Sequence, residues 1–229
     1  DIRSPIPVTV QLMIIDNYGS QLYSDSKLVS ILPINYYPWV LDGQPVLDAC
    51  IVLATPEAKV INGIIIQAVD EVEFNAIVGY QDMPGYERRD VVLEQMEAVY
   101  NIIQKMGVKY ISTPMTYSST DAQAIRTPGQ VIEDQGGNCI ETSLLLVAVF
   151  EKMNLEPYII MPPGHAYVGV KMWSGSDTIL VLETTKIGYG SFEDARESAL
   201  SRTDWFDSYR INVLDWRDIG VQPTPYFDN

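Results

Sequence analysis

The stretch Gly-Gly-Asn-Cys-Ile-Glu at 136–141, followed by the apolar run Leu-Leu-Leu-Val-Ala-Val-Phe at 144–150, decides the fold of this chain. Asn138 is a favourable N-cap residue, and Glu141 three positions later completes the pattern of a capping box. The run that follows is apolar on every side of a helix, so the sequence predicts a central, buried helix. Cys139 then lies in its first turn.

That position has chemical consequences for Cys139. The N-terminus of a helix carries positive partial charge, which favours the thiolate form of a cysteine placed there. Backbone N–H groups of the first turn lack intrahelical acceptors, so they could donate to a developing oxyanion. The two preceding glycines would let a substrate backbone approach closely. The alternative is a buried structural cysteine that only helps to pack the start of the helix.

His165 is the single histidine of the chain. From 165 to 173 apolar and other residues alternate, which predicts a strand with His165 near its start, on the face opposite the apolar set. The preceding Pro-Pro-Gly at 162–164 determines how the chain enters this strand. A histidine at a strand end can be a structural group with satisfied hydrogen bonds, and this alternative stays open for His165.

Glu183 follows on a second predicted strand, 178–184. A hairpin whose three-residue loop ends at Gly175 would place Glu183 directly opposite His165 on the same face. The carboxylate could then accept a hydrogen bond from one imidazole nitrogen while the other faces the thiol. Asp177 is a competing acid, but its position in the turn favours Glu183.

The rest of the chain divides at the turn-rich stretch 81–89. Residues 1–85 are predicted to form a β-rich N-terminal module of unknown role, with strands at 6–15, 21–33 and 46–54 and a helix from 55 to 68. Residues 86–229 form the second domain. It opens with an amphipathic helix that ends at Gly107, and residues 112–130 form a long connection. The apolar stripe of that helix is Val92, Met96, Val99, Ile103 and Met106.

Composition limits the classes of partner. With 30 acidic and 15 basic residues the formal charge is −15, which argues against nucleic acid as a partner. No apolar run approaches the about 20 residues of a membrane-spanning helix. A single histidine argues against a zinc site, and we expect no metal and no cofactor. Cys50 is interpreted as an apolar residue of a buried strand, without a bridge to Cys139.

Localisation is inferred from indirect features. The chain begins at Asp1 without a methionine or a signal peptide, which we interpret as a trimmed or mature start. Together with the β-rich leading module and the acidic composition, this predicts an exported bacterial protein of the periplasm, cell surface or exterior. The sequence does not determine the oligomeric state.

Four ordered segments resemble one family: Gly-Asn-Cys at 137–139, Leu-Glu-Pro-Tyr-Ile-Ile at 155–160, Gly-His-Ala-Tyr-Val-Gly-Val at 164–170 and Val-Leu-Glu-Thr-Thr at 181–185. They are similar to the transglutaminase-like superfamily of papain-type cysteine enzymes, in its bacterial branch. The resemblance covers residues 90–200 and excludes the N-terminal module. It implies an α+β fold, in which a buried helix carrying the cysteine packs against an antiparallel sheet bearing the histidine and the acid.

The resemblance also implies roles for individual residues. Cys139 would be the nucleophile, His165 the base and acid, and Glu183 the orienting group, where animal transglutaminases carry an aspartate. A side-chain donor to the oxyanion is not determined by the match. Gln123 and Tyr110 are the preferred candidates, and Gln130 and Gln135 also lie upstream of the cysteine.

The implied chemistry is acyl transfer through a Cys139 acyl-enzyme. The leading hypothesis is a cysteine-dependent amidase or peptidase that hydrolyses an amide bond in a protein or cell-surface peptide. One alternative is a transglutaminase that cross-links proteins. The other is a non-catalytic binding or scaffolding module on the same fold.

Overall fold

The computed structural model describes residue 2 and residues 4–112 and 122–224, and shows a mixed α/β protein with small sheets, most of them antiparallel. Its helices are α1 (Lys59–Val69), α2 (Arg88–Lys105), α3 (Pro128–Glu133), α4 (Cys139–Lys152), α5 (Phe192–Leu200) and α6 (Val213–Asp218). Its strands are β1 (Ile6–Ile15), β2 (Gln21–Ile31), β3 (Tyr36–Tyr37), β4 (Val40–Leu41), β5 (Gln44–Pro45), β6 (Lys109–Tyr110), β7 (Gln123–Ala124), β8 (Gly136–Gly137), β9 (Pro157–Met161), β10 (Tyr167–Lys171), β11 (Ile179–Leu182) and β12 (Tyr209–Asn212).

Helix α4 is the centre of the core, which confirms the prediction of a buried helix. Every residue from Cys139 to Phe150 is buried. The helix packs against β9 and β10 on one side and against α1, α2 and α3 around the rest of its surface. Because no side of α4 faces solvent, a run that is apolar all round is the pattern this position requires.

The main sheet has four strands in the order β11-β10-β9-β12, and all its neighbours are antiparallel. Val168 and Val170 point into the main core beneath α4. Tyr167 points to the other face, where α5 packs over β11 and forms a second, smaller apolar cluster. Both faces of the sheet are therefore covered, and the start of β10 lies between two packed layers.

The N-terminal third differs from its prediction in two places. The segment predicted as a strand at 46–54 contains a 3-10 helix, Asp48–Leu53, and α1 begins at Lys59, later than expected. A short apolar run bounded by turn residues does not distinguish a strand from a buried helical turn by its pattern alone. Cys50, in that turn, is fully buried, and it and Cys139 are free thiols.

One apolar core runs across the predicted boundary at residue 85. Ile51 of the 3-10 helix and Ile64 of α1 belong to the same cluster of buried residues as Met96 of α2 and Leu145 of α4. The hairpin of β1 and β2 stands apart from this core, since its residues are almost all exposed. The division into two domains stays a prediction.

Four residues of the predicted stripe, Val92, Met96, Val99 and Ile103, are buried in α2, and the fifth, Met106, is partly buried just after its end. Gly107 follows, and its φ of 86° suits a residue without a side chain. The predicted connection at 112–130 contains β7 and the start of α3, which a capping box of Thr127 and Gln130 initiates. Residues 113–121 of that connection lie outside the described residues. In the part of the chain that the structure describes, no helix has both the length and the hydrophobicity to span a membrane.

Candidate active site

Cys139 is the first residue of α4, and the predicted capping box holds it there. The Asn138 side chain accepts from the backbone N–H of Glu141 at 3.1 Å, and the Glu141 carboxylate accepts from the N–H of Asn138 at 2.9 Å. Arg126 forms an ion pair with Glu141 at 3.1 Å, so the buried carboxylate is also neutralised. This network sets the direction in which the helix starts, and with it the position of the thiol.

Gly136 and Gly137, the two glycines before the cap, lie where the chain packs closely against a neighbouring strand. They form β8, which pairs in parallel with β6, so that Tyr110 lies beside Gly137. A Cβ atom on Gly136 would lie 2.2 Å from the side chain of Ile111. Close packing against β6 and Ile111 therefore accounts for a glycine at 136, in place of the expected approach by a substrate backbone.

His165 is the last residue of a tight turn that precedes β10. Its N–H donates to the carbonyl of Pro162 at 3.1 Å, with Pro163 and Gly164 between them. Gly164 has φ of 75°, and proline followed by glycine in these two places is the signature of a type II turn. The strand begins at Tyr167, two residues later than predicted, so His165 lies in the turn.

Glu183 comes directly after β11 and contacts the imidazole. The Nε2 atom of His165 is 2.9 Å from Oε2 and 3.1 Å from Oε1 of Glu183. The predicted register is wrong by two residues, because Val168 is paired with Leu182. The turn between the two strands is longer than the predicted three residues and contains hydrogen bonds between Ser176 and Thr178. His165 contacts Glu183 from the turn before β10. Asp177 is exposed in that longer turn.

The Glu183 carboxylate is 2% exposed and has three partners in all. Besides His165, the backbone N–H and hydroxyl of Thr185 donate to Oε1 at 3.1 and 2.8 Å. Arg202 donates to Oε2 at 3.2 Å, also pairs with Asp204, and its guanidinium lies 5.2 Å from the centre of the Tyr167 ring. A buried carboxylate with this many donors is held in one orientation.

Sequence reasoning missed Arg202. Residue 202 lies just beyond α5, far from Glu183 along the chain, and the pattern around it, Ser-Arg-Thr-Asp at 201–204, resembles an ordinary polar turn. A buried carboxylate requires a partner, so burial of Glu183, which the structure shows, is the signal that a cation lies nearby. Nothing in the sequence identified which arginine or lysine supplies it.

The pKa values of His165 and Glu183 are displaced in opposite directions. Burial lowers the pKa of His165, but the Cys139 and Glu183 side chains raise it by more, from 6.5 to about 9. Burial raises the pKa of Glu183, and the contacts with His165 and Thr185 outweigh it, so that this pKa is below its usual value. An imidazolium beside a carboxylate is the state that these shifts favour near neutral pH.

Cys139 and His165 line one cavity of about 250 Å³. Trp39, Val40 and Leu47, from the N-terminal third, form part of its wall, opposite the turn at 162–164. The Nε2 atom of His165 contacts Glu183, which leaves Nδ1 as the ring nitrogen for proton exchange in this space. The structure thus brings together the thiol, the imidazole and the acid that the sequence singled out.

Gln123 and Tyr110, the two preferred oxyanion candidates, are connected to this centre through different residues: Gln123 through Trp39 of the cavity wall, and Tyr110 through Cys139. The Oε1 atom of Gln123 accepts from the indole N–H of Trp39 at 2.6 Å. The indole N–H can only donate, so it takes up the oxygen of the Gln123 amide. The NH₂ group of Gln123 is therefore the end of that side chain that can donate to another group. Burial and the nearby charge of Cys139 raise the pKa of Tyr110.

The side chains of Gln130 and Gln135 form hydrogen bonds at helix ends. Gln130 caps α3 through Thr127, whose backbone N–H donates to its side chain at 2.9 Å. The Gln135 amide donates to the carbonyl of Met106 at 2.9 Å, at the end of α2. Among the residues that the structure describes, no group of three or more His, Cys, Asp or Glu side chains could hold a metal ion.

Comparison with known proteins yields two distant structural neighbours. A candidate cysteine protease from Cytophaga hutchinsonii is 12% identical, with a TM-score of 0.33 over 93% of this chain and 75% of its own. A candidate protease from Parabacteroides distasonis is 11% identical, with a TM-score of 0.27 over 80% of this chain and 40% of its own. No family model and no curated protein matches the chain. Both TM-scores are below 0.5, so neither neighbour assigns a role to any residue of this chain.

Proposed function

We propose that this protein is a cysteine-dependent acyl-transfer enzyme of transglutaminase-like type that hydrolyses an amide bond in a protein or peptide. One observation carries the proposal. A buried carboxylate, Glu183, is hydrogen-bonded to the only imidazole of the chain at 2.9 Å, in a cavity that also contains a cysteine at the first position of a helix. This is the arrangement in which an acid orients a base towards a nucleophile.

The reaction follows from these positions. In the imidazolium state His165 already holds the proton of the Cys139 thiol, and the thiolate sulfur attacks the carbonyl carbon of the amide. The C–N bond breaks, His165 gives this proton to the departing amine, and a thioester remains on Cys139. Water then attacks the thioester while the neutral His165 accepts its proton. The C–S bond breaks, which releases the acid and restores the thiolate beside the imidazolium.

The remaining groups support charge that develops during this reaction. The backbone N–H of Cys139 at the start of α4 has no intrahelical acceptor, so it is a donor for the oxyanion. The Gln123 side chain, oriented by Trp39, is our candidate for the second donor. Arg202 is a positioning residue, because it acts on the imidazole only through the Glu183 carboxylate.

The first test uses the two cysteines of the chain as a matched pair. Burial and the charge of Asp48 raise the pKa of Cys50 to about 12, so that thiol serves as an unreactive internal reference. Iodoacetamide at pH 6 should label Cys139 and leave Cys50 unlabelled, as read by mass spectrometry. Labelling of Cys139 no faster than a small model thiol would contradict an activated nucleophile.

The second test measures hydrolysis of a fluorogenic casein substrate. Cys139→Ser and His165→Gln should abolish the activity, and Glu183→Gln should lower kcat by about 100-fold or more, since the orienting charge is lost. Cys50→Ala is the matched control and should retain it. Incorporation of a fluorescent primary amine in place of water would identify the cross-linking alternative. Rapid alkylation with neither product would favour a binding module.

A further inference from the structure

The cavity beside Cys139 has a lining of one chemical kind. Apart from Cys139 and His165, each residue that lines its about 250 Å³ is apolar, including Trp39, Leu47, Ile140, Met161 and Pro163. The share of one water molecule in the liquid is about 30 Å³, so the space equals that of about eight water molecules and has room for one large substrate side chain. It is too small for a folded segment or a sugar chain.

Apart from Cys139 and His165, the lining contrasts with the chain as a whole. The protein has 30 acidic residues, yet among the residues that the structure describes no carboxylate lines this cavity, and Glu183 contacts the imidazole from outside the lining. A charged side chain entering the apolar part of the cavity, away from His165, would lose its hydration without gaining a partner. An apolar side chain would lose only unfavourable contact with water.

The wall of the cavity is held in place by the rest of the fold. Trp39 donates to Gln123 at 2.6 Å and packs edge-on against Tyr37, with the ring centres 4.8 Å apart. The backbone of Tyr37 is paired with that of Gln123, and the N–H of Val46 donates to the Trp39 carbonyl at 2.9 Å. The indole is therefore fixed before any substrate arrives, which is typical of a preformed binding pocket.

We propose that this cavity selects substrates with a bulky, uncharged apolar side chain, such as leucine or phenylalanine, in the acyl part beside the bond that is broken. Trp39 and Leu47 are then specificity-determining residues supplied by the N-terminal third of the chain. The acyl part is the relevant one because it remains in the site as the thioester of Cys139 between the two steps, whereas the amine departs after the first. This inference rests on the proposed function, since it concerns the same thiol.

The test uses peptidyl chloromethyl ketones of the forms acetyl-X-Gly and acetyl-Gly-X, where X is Leu, Phe, Glu or Lys. The rate of Cys139 modification is followed by mass spectrometry and divided by the rate with iodoacetamide. At one of the two positions, Leu and Phe should react at least about 10-fold faster than Glu and Lys. Equal rates for all four, with rapid iodoacetamide labelling, would overturn the pocket and leave the proposed function standing. Slow labelling by every reagent would instead overturn the proposed function.

Two variants and one control sharpen this test. Trp39→Ala should reduce the ratio of the Leu rate to the Lys rate towards one, because it removes a wall. Trp173→Ala is the matched control, since Trp173 is half-exposed in the turn between β10 and β11 and should leave that ratio unchanged. Leu47→Glu adds a carboxylate to the half-buried wall and should raise the Lys rate over the Glu rate. An unchanged Lys-to-Glu ratio in Leu47→Glu contradicts the proposal even where Trp39→Ala fails to fold.

Discussion

Two largely apolar segments have opposite fates in this molecule. In α4, the run at 144–150 is fully buried. In β1, the run at 6–15 carries no charged residue, yet Leu12 is 58% exposed and Ile15 is 55% exposed. The local pattern of each segment predicted its helix or strand correctly. Whether the segment is buried depended on how many other elements pack against it.

The geometry of each region explains the difference. Helix α4 is enclosed by the main sheet and by helices on its remaining sides. The hairpin of β1 and β2 has only its own ladder, in which Val8 faces Val29 and Ile6 faces Ile31. Apolar side chains lie on both faces, since directly opposed residues point to the same side: Leu12 is on the face of Val8, and Leu28 is on the other face, opposite Thr9. Two strands have no second layer against which to bury either face.

The largest expected effect concerns the buried region. Leu145→Ala removes a fully buried side chain from α4 and should lower the free energy of unfolding by about 2–5 kcal/mol, because it loses apolar contact and leaves a cavity. Urea denaturation of the purified variant measures it. A loss below about 0.5 kcal/mol, the value for an ordinary surface position, would mean that α4 is not the centre of the core.

The second effect also belongs to the buried region and depends on pH. The pKa of His165 is raised from 6.5 to about 9 in the folded state, so its stabilisation is complete below pH 6.5 and is lost as pH rises through about 9. We expect the wild type to lose about 1–3 kcal/mol more than His165→Gln between pH 6 and pH 10. Urea denaturation at both pH values measures the difference. Lys27→Gln, in the exposed hairpin, is the control and should behave as the wild type.

A third, smaller effect compares helix caps in the two environments. Asn138→Ala leaves a buried N–H without its acceptor and should cost about 1–2 kcal/mol of unfolding free energy. Ser191→Ala removes the equivalent exposed cap of α5 and should cost about 0.5–1 kcal/mol. Equal losses in the two variants would show that burial does not matter at these helix starts.

The smallest effect is expected in the hairpin. Leu12→Ser and Leu28→Ser replace side chains that are 58% and 71% exposed and should change the unfolding free energy by less than about 0.5 kcal/mol. Both should lower the fluorescence of a dye that binds apolar surfaces. Leu12 and Leu28 lie on opposite faces of the hairpin, so a large loss of stability in one variant would indicate that the face bearing that residue is covered in solution.

Much of the candidate site was predictable from local patterns. The capping box that places Cys139 and the choice of Glu183 over Asp177 as the partner of His165 agree with the observed geometry. The capping box depends on residues close together in the chain, where backbone sterics and short-range hydrogen bonds decide. The catalytic roles, the domain division and the exported location stay predictions.

The sequence by itself determined which segments become helix α4, helix α2 and the first hairpin, because periodicity, caps and turn residues act over a few positions. Only the tertiary structure decided the strand register, the 3-10 turn at Cys50, the arrival of Arg202 at Glu183 and of Trp39 at the thiol. Those contacts join residues that are distant along the chain. Their choice depends on packing the whole core at once, since many local patterns would satisfy a buried charge or fill an apolar wall equally well.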